Sequence, residues 1–312
     1  MRRILTLARS FAVLALILAF AIVAILLVTH EGRVAIRAAM LLPEVLPDAT
    51  FHPLRMISDR PLEGDVLYPF SGGTGRATVW RPAGPGQHGG LILFLGVNPD
   101  YGNQPLRQFA QAVARQGAVV MLVHGVALDD SRLSLVEVDS LVGAVRYLRE
   151  LPYVNPKRVG FAGFCVGGSL ALLAAGDPRI AGDVQFVNSF GGFYSAETLL
   201  MALTTRSVVV NNLQQEAWEP DPRATPWFTQ AVVNALPDPA ERAALERLLR
   251  DAAPLTPDQR TALTPRLRSM HDLLANRDPS VAGPLYEALP ADLRAELAKY
   301  APSNNFEWLQ AK

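Results

Sequence analysis

The stretch Arg158–Ala174, RVGFAGFCVGGSLALLA, constrains this chain more than any other. An apolar run, Val159 to Ala162, leads into Gly163; Cys165 then stands between Gly163 and the pair Gly167–Gly168, and a second apolar run follows. The pattern glycine, any residue, nucleophile, any residue, glycine predicts a strand, a sharp turn and a helix, with the nucleophile at the apex. Side chains two residues either side of that apex would collide, which explains the flanking glycines. The helix that follows aims its free amide donors and positive dipole end at the apex, favouring a thiolate and a developing oxyanion. The competing reading makes Cys165 a small packing residue at a tight turn. The strand before it, the helix after it and the alternation upstream favour the nucleophile.

That alternation is legible from Val66 onward. Val66 to Phe70 and Ala77 to Arg81 read as a strand pair joined through Ser71–Gly75. Leu91 to Leu95 is a continuous apolar run, as expected of a strand buried on both faces. Leu106, Phe109, Ala110 and Val113 recur at helical spacing, Ala118 to Val123 is the next strand, and Leu135, Val138, Leu141, Val142, Val145 and Leu148 mark a second helix. Val184 to Val187 centres a further strand. Strands alternating with crossover helices predict an α/β fold: a mostly parallel sheet with helices on both faces. After Tyr194 the β-type runs nearly vanish. Asp238-Pro-Ala-Glu241 and Thr256-Pro-Asp-Gln259 carry capping residues with Pro at the first helical position, so residues 195–300 read as a helical insertion. Trp218 and Trp227 fall in its Pro-rich approach and read as packing residues.

Gly163-Phe-Cys-Val-Gly-Gly168 resembles the elbow of the dienelactone hydrolase family, cysteine-nucleophile members of the α/β-hydrolase fold, and the resemblance extends over residues 65–195. It implies an ester or lactone as the small-molecule substrate, with Cys165 attacking the carbonyl carbon. The oxyanion would be held by the amide of Val166 and by an amide after the Leu91–Leu95 strand, that of Val97. The insertion after strand 6 would form a cap. The fold orders its catalytic residues as nucleophile, acid, histidine, and the family resemblance places the last two after a seventh and an eighth strand. Of the five histidines, His30, His52, His88 and His124 precede Cys165; only His271 follows, inside the insertion. Residues 301–312 resemble the lead-in to a seventh strand that never comes. The expectation is a chain that is truncated, or that has lost its last two strands with their acid and base: a thiolate formed by the helix dipole could still acylate, but deacylation without a positioned base should be slow, so the chain either stalls there or is inactive. Glu197 after the sixth strand, His124 at the carboxyl edge of the sheet and His271 are the remaining candidates for acid or base. The alternatives to an enzyme are a non-catalytic hydrolase-fold binding module and a membrane-proximal helical interaction protein.

No His, Cys or carboxylate pair has metal-ligand spacing, no Lys-Ser/Thr follows the glycines to make a phosphate loop, and no cofactor or metal is expected. A formal net charge of zero gives no reason to expect a nucleic-acid partner. Phe11 to Val28 is an uncharged apolar run of about eighteen residues, the lower limit for crossing a bilayer. Arg2, Arg3 and Arg9 precede it, which keeps the N-terminus cytoplasmic and places the domain on the exported side. The run is long for a cleaved signal and no A-x-A site directly follows it, which favours a single-pass anchor. The expected divisions are an anchor (1–30), a Pro-rich linker (31–64), the α/β core (65–194), the helical insertion (195–300) and the terminal lead-in (301–312).

Overall fold

The computed structural model describes residues 27–305 apart from 47, 98, 131, 211–213 and 252–254, together with residues 20, 24 and 25. Most of the expected anchor, residues 11–28, therefore lies outside the described residues. Among the described residues no helix is long and apolar enough to cross a membrane.

The chain forms two compact units. One is built from the segment up to Leu62 with Trp80–Gly84 and Gly102–Ala118; the other takes Glu63–Val79, Pro85–Tyr101 and the chain from Val119 on. The first unit corrects the expectation of a linker over residues 31–64. Helix α1 spans His30–Val45, opened by Thr29, whose Oγ1 accepts from the Gly32 amide at 3.0 Å. Helix α2 spans Pro53–Ile57 and strand β1 already begins at Leu62. Prolines misled the reading for a local reason. Pro43 falls in the last turn of α1, and Pro53 opens α2, where its missing N–H has no helical acceptor to lose. Glu44, 3% exposed, ties the two helices: its Oε1 accepts from the Leu54 amide at 2.8 Å, and its Oε2 accepts from Arg55 Nε at 3.0 Å. Helix α3, Gln104–Arg115, completes the unit, with Arg115 donating to the Ser58 carbonyl at 2.7 Å and Gln116 to the Arg37 carbonyl at 2.6 Å.

The second unit is organised by a six-stranded sheet, β1 (Leu62–Phe70), β2 (Gly73–Arg81), β3 (His88–Phe94), β4 (Ala118–Val123), β5 (Val154–Phe164) and β6 (Val184–Phe190), in the order β1-β2-β4-β3-β5-β6. β3 pairs in parallel with β5, Phe94 opposite Gly163, and β5 in parallel with β6, Phe164 opposite Phe190. This register brings the carboxyl ends of three strands to one edge, where open α/β sheets place their sites. Helix α4, Val136–Glu150, and helix α5, Val166–Gly176, pack on each other and on β5. Helix α5 is buried on nearly every side, matching a sequence that is apolar all round. Ile92, Phe94, Val119, Met121, Leu141, Phe161 and Leu170 belong to the core thus enclosed.

Beyond β6 come helices α6 (Ala196–Thr205), α7 (Ala224–Asn234), α8 (Pro239–Asp251), α9 (Pro257–Ala262), α10 (Pro265–Ala275), α11 (Pro279–Glu287) and α12 (Ala291–Ala298). All but α9 contribute to a second core that includes Leu200, Val233, Leu245, Met270 and Leu293. One feature here was not expected: Ser207–Val210 and Gln214–Ala217 pair antiparallel as strands β7 and β8. The second of these, QQEA, is exposed along its length and has no strand-like composition.

Candidate active site

Cys165 joins β5 to α5 with φ 55° and ψ −136°, and among the described residues only Arg206 is another non-glycine with positive φ. A side chain in that region is strained, and it persists only where its surroundings over-determine it. The surroundings do so here. The Cys165 amide donates to the Phe190 carbonyl at 2.8 Å, and the Cys165 carbonyl accepts from the Gly168 amide at 2.9 Å. A Cβ on Gly163 would stand 2.5 Å from the Gly168 Cα, and one on Gly167 would stand 2.4 Å from the Leu95 carbonyl oxygen. The glycines thus answer to the close approach of backbone, as the sequence pattern implied.

The thiol is partly exposed. The segment leaving β3 runs against it: a Cβ on Gly96 would lie 2.4 Å from Cys165 Cβ and 3.0 Å from Sγ. Val97 is the next residue along that segment. Val166 opens α5 and is 1% exposed, and its amide is among the first four of the helix, which have no intrahelical acceptor.

His124 and Glu197 interact with groups other than Cys165. His124 follows β4, two strand positions from β5 and so roughly 10 Å away across the sheet. Its ring stacks on Tyr101 at 4.0 Å and its Nε2 lies 3.4 Å from Thr78 Oγ1. His271 is buried in α10, and its Nδ1 is 3.7 Å from Asp272 Oδ1, without a hydrogen bond. Glu197, in the first turn of α6, acts electrostatically on Tyr286 of α11. Among the described residues none is hydrogen-bonded to Cys165 Sγ. Nor does any group of three or more His, Cys, Asp or Glu among them suit a metal ion.

Two features escaped the sequence reading. Arg223, just before α7, is held by Asp221 through Nε at 3.0 Å and Nη2 at 2.9 Å. This hydrogen-bonded pairing keeps the Asp221 carboxyl down at about 2 and raises the guanidinium, which also senses the Cys165 sulfur. The second is Glu137 in the first turn of α4, 0% exposed, whose Oε1 accepts from the amides of Val126, Ala127 and Leu128 at 2.9, 2.6 and 3.0 Å. It fixes the loop after β4. Its partners are backbone groups, so no spacing of residue types marks it.

A cavity of about 510 Å³ lies between that loop and helices α6, α7 and α12. Phe193, which follows β6, is part of its wall, and its carbonyl accepts from the buried Ser169 Oγ at 2.7 Å, one turn along α5 from Cys165. Trp227 Nε1 donates to the Leu128 carbonyl at 3.4 Å, fastening α7 to the loop.

Residues 126–207 match the model of the dienelactone hydrolase family. A Bradyrhizobium sp. protein, probable 2-oxo-3-(5-oxofuran-2-ylidene)propanoate lactonase, is 49% identical over 57 residues, which are 18% of this chain and 22% of that one. Among solved structures, 2,6-dihydroxy-pseudo-oxynicotine hydrolase aligns at 17% identity with a TM-score of 0.41, over 59% of this chain and 46% of that one. A thermostable carboxylesterase from a metagenomic library aligns at 20% identity with a TM-score of 0.32, over 45% of this chain and 48% of that one. The chain thus spans about a fifth of the curated relative and about half of each of these two structures. The segment that carries Cys165 at a strained strand-to-helix turn is thus similar to the dienelactone hydrolase family.

Proposed function

We propose that this protein cleaves an ester or lactone through Cys165, and that residues 11–28 anchor it in a membrane with the N-terminus cytoplasmic and the domain on the exported side. The observation that carries the catalytic reading is the Cys165 backbone, φ 55° and ψ −136°, a strained conformation held at the carboxyl edge of the sheet. The Cys165 thiolate attacks the carbonyl carbon; a C–S bond forms and the carbonyl π pair moves onto oxygen. The amides of Val166 and Val97 are the proposed donors to that oxyanion. Its collapse breaks the C–O bond to the alcohol, which leaves as an alkoxide and takes a proton from water. Water then adds to the thioester, the C–S bond breaks, and the acid departs as the thiol is restored. The helical segment after β6 acts as the cap, and small-molecule esters or lactones are the proposed substrates.

The described residues offer no hydrogen-bonded base to Cys165, so acylation should outrun deacylation. With p-nitrophenyl acetate the expected result is a burst of one p-nitrophenol per chain and a mass increase of one acetyl group, located at Cys165 and absent in Cys165→Ala. A chain that gains no acyl group would sink the reading. It would favour the second one, a hydrolase-fold binder without chemistry. The anchor is tested separately: the full chain should stay with membranes in alkaline carbonate, and extraction into the soluble fraction would reject it.

A further inference from the structure

Helix α1 is apolar on two opposite sides, and its partners in the first unit, α2 and α3, cover one of them. Gly32, Ile36, Met40 and Glu44 recur at four-residue spacing and are buried or half-buried. Val34, Ala38 and Leu42 recur on the other side, roughly 200° round the helix at about 3.6 residues per turn, and are exposed; Leu46 continues their row just past the helix. Val34, Leu42 and Leu46 are each more than half exposed, and so are Phe51 before α2 and Met56 and Ile57 within it. A helix on the surface of a soluble domain turns a polar face to water, and so much bare hydrocarbon over residues 34–57 calls for a cover. The start of α1 indicates which. Leu27 and Val28, the last residues of the apolar run from Phe11, are helical. Thr29 ends that helix and opens α1: its amide and its Oγ1 both donate to the Ile25 carbonyl, at 3.0 and 2.7 Å, and its Oγ1 accepts from the Gly32 amide. Thr29 itself is extended, with φ −76° and ψ 152°, so the chain bends there. Arg33 Nη1 donates to the Val28 carbonyl at 2.6 Å, closing the end of the run with a charge. If the run crosses a bilayer, the polar break Thr29–Arg33 stands at the headgroups. Leu46 is then only roughly 20 Å further along, at about 1.5 Å per residue. Over residues 29–62 the four arginines, Arg33, Arg37, Arg55 and Arg60, are matched by four carboxylates, Glu31, Glu44, Asp48 and Asp59, so no net charge selects an ionic partner.

We propose that the outer row of α1 lies in the bilayer interface, with Val34, Leu42 and Leu46 among the upper acyl chains, so that the first unit rests on the membrane and is not hung from it by a tether. The partner is a lipid surface, held by burial of hydrocarbon and not by charge. The proposal rests on the reading of residues 11–28 as an anchor, and the test separates the two. The full chain carrying Cys165→Ala, which removes its one cysteine, takes a nitrobenzoxadiazole dye on Leu42→Cys and is reconstituted in phosphatidylcholine vesicles. Val34→Cys is the second site should the first misfold, and the exposed Arg247→Cys of α8 is the control. An interfacial helix buries its apolar face about 5–10 Å deep, so a nitroxide placed high on the acyl chains should quench the dye on Leu42→Cys at least about twofold and that on Arg247→Cys by less than about a tenth. With no net charge at stake, about 1 M salt should leave the quenching unchanged. Alkaline carbonate applied to the same vesicles reads the anchor. A chain that stays in the bilayer but is not quenched at Leu42→Cys or Val34→Cys overturns the docking and leaves the anchor standing. A chain that carbonate releases, yet that is quenched at neutral pH, loses the anchor and keeps the docking face; release without quenching overturns both. A dye shielded from water but untouched by the nitroxide assigns the face to a protein, a second copy of this chain included, and overturns the proposal.

Discussion

Glu137 shows how a single buried charge can set the shape of a site it does not touch. A carboxylate without exposure is tolerated only when fully hydrogen-bonded, and three successive backbone amides provide this. Glu137→Ala would leave those amides without their acceptor, and equilibrium urea unfolding should show a loss of at least about 3 kcal/mol; Glu137→Gln, keeping one acceptor oxygen, should cost less. Tyr68 is a different case. Its hydroxyl bonds Ser140 Oγ at 2.7 Å, and burial pushes its phenol from 10.0 up to about 12. The unfolded chain loses this proton before the folded one, so the stabilisation is complete below pH 10 and is lost as pH rises through about 12, a loss of roughly 3 kcal/mol. Burial raises Tyr286 and Tyr300 too and adds to the slope, so Tyr68→Phe should flatten the alkaline stability curve in part. At this scale the sequence was legible where chemistry depends on neighbours in the chain. The Cys165 turn is such a case, because its glycines lie within three residues of it. Glu137 was not legible, because its backbone partners are set by the fold. The place of His124 relative to β5 likewise depends on strand order, which spacing does not encode.

Among the elements, β6 stands at one end of the sheet and among the described residues pairs only with β5. Phe186 is 49% exposed and Phe190 51%, so the strand carries apolar rings at an edge that no further strand covers among the described residues. Such an edge is a template for another chain. Concentrated solutions are therefore expected to associate, and Phe186→Lys should reduce that association in sedimentation velocity without moving the melting temperature by more than a few degrees; unchanged association would place the contact elsewhere. Within the sheet, elements were legible because buried strands declare themselves as apolar runs: β4 was read from Ala118 to Val123, the span it occupies. The β7–β8 hairpin was not, since half of it is exposed and polar and no core demands a pattern of it. Helix α1 was missed for the opposite reason: Pro43 looks like a stop but sits where the helix is already ending.

At the scale of the whole molecule, the first unit is assembled from three separated segments. Removing residues up to Leu62 as though they were a tether would strip α1 and α2 from α3, whose Ala110, Ala112 and Ala114 are buried. A fragment beginning at Glu63 should therefore unfold at lower urea concentration than one beginning at Val28, by several kcal/mol if α3 loses its packing; equal midpoints would show those helices to be dispensable. The same division carries a consequence for the order in which the protein can form. Helix α1 leaves the ribosome early, but its partner α3 lies beyond β1, β2 and β3. An isolated helix of this length is marginal in water. The amino-terminal helix has α2 to pack on early, but must wait through the synthesis of half the sheet before its contacts with α3 exist, and the closing of that long loop slows the rate at which the unit appears.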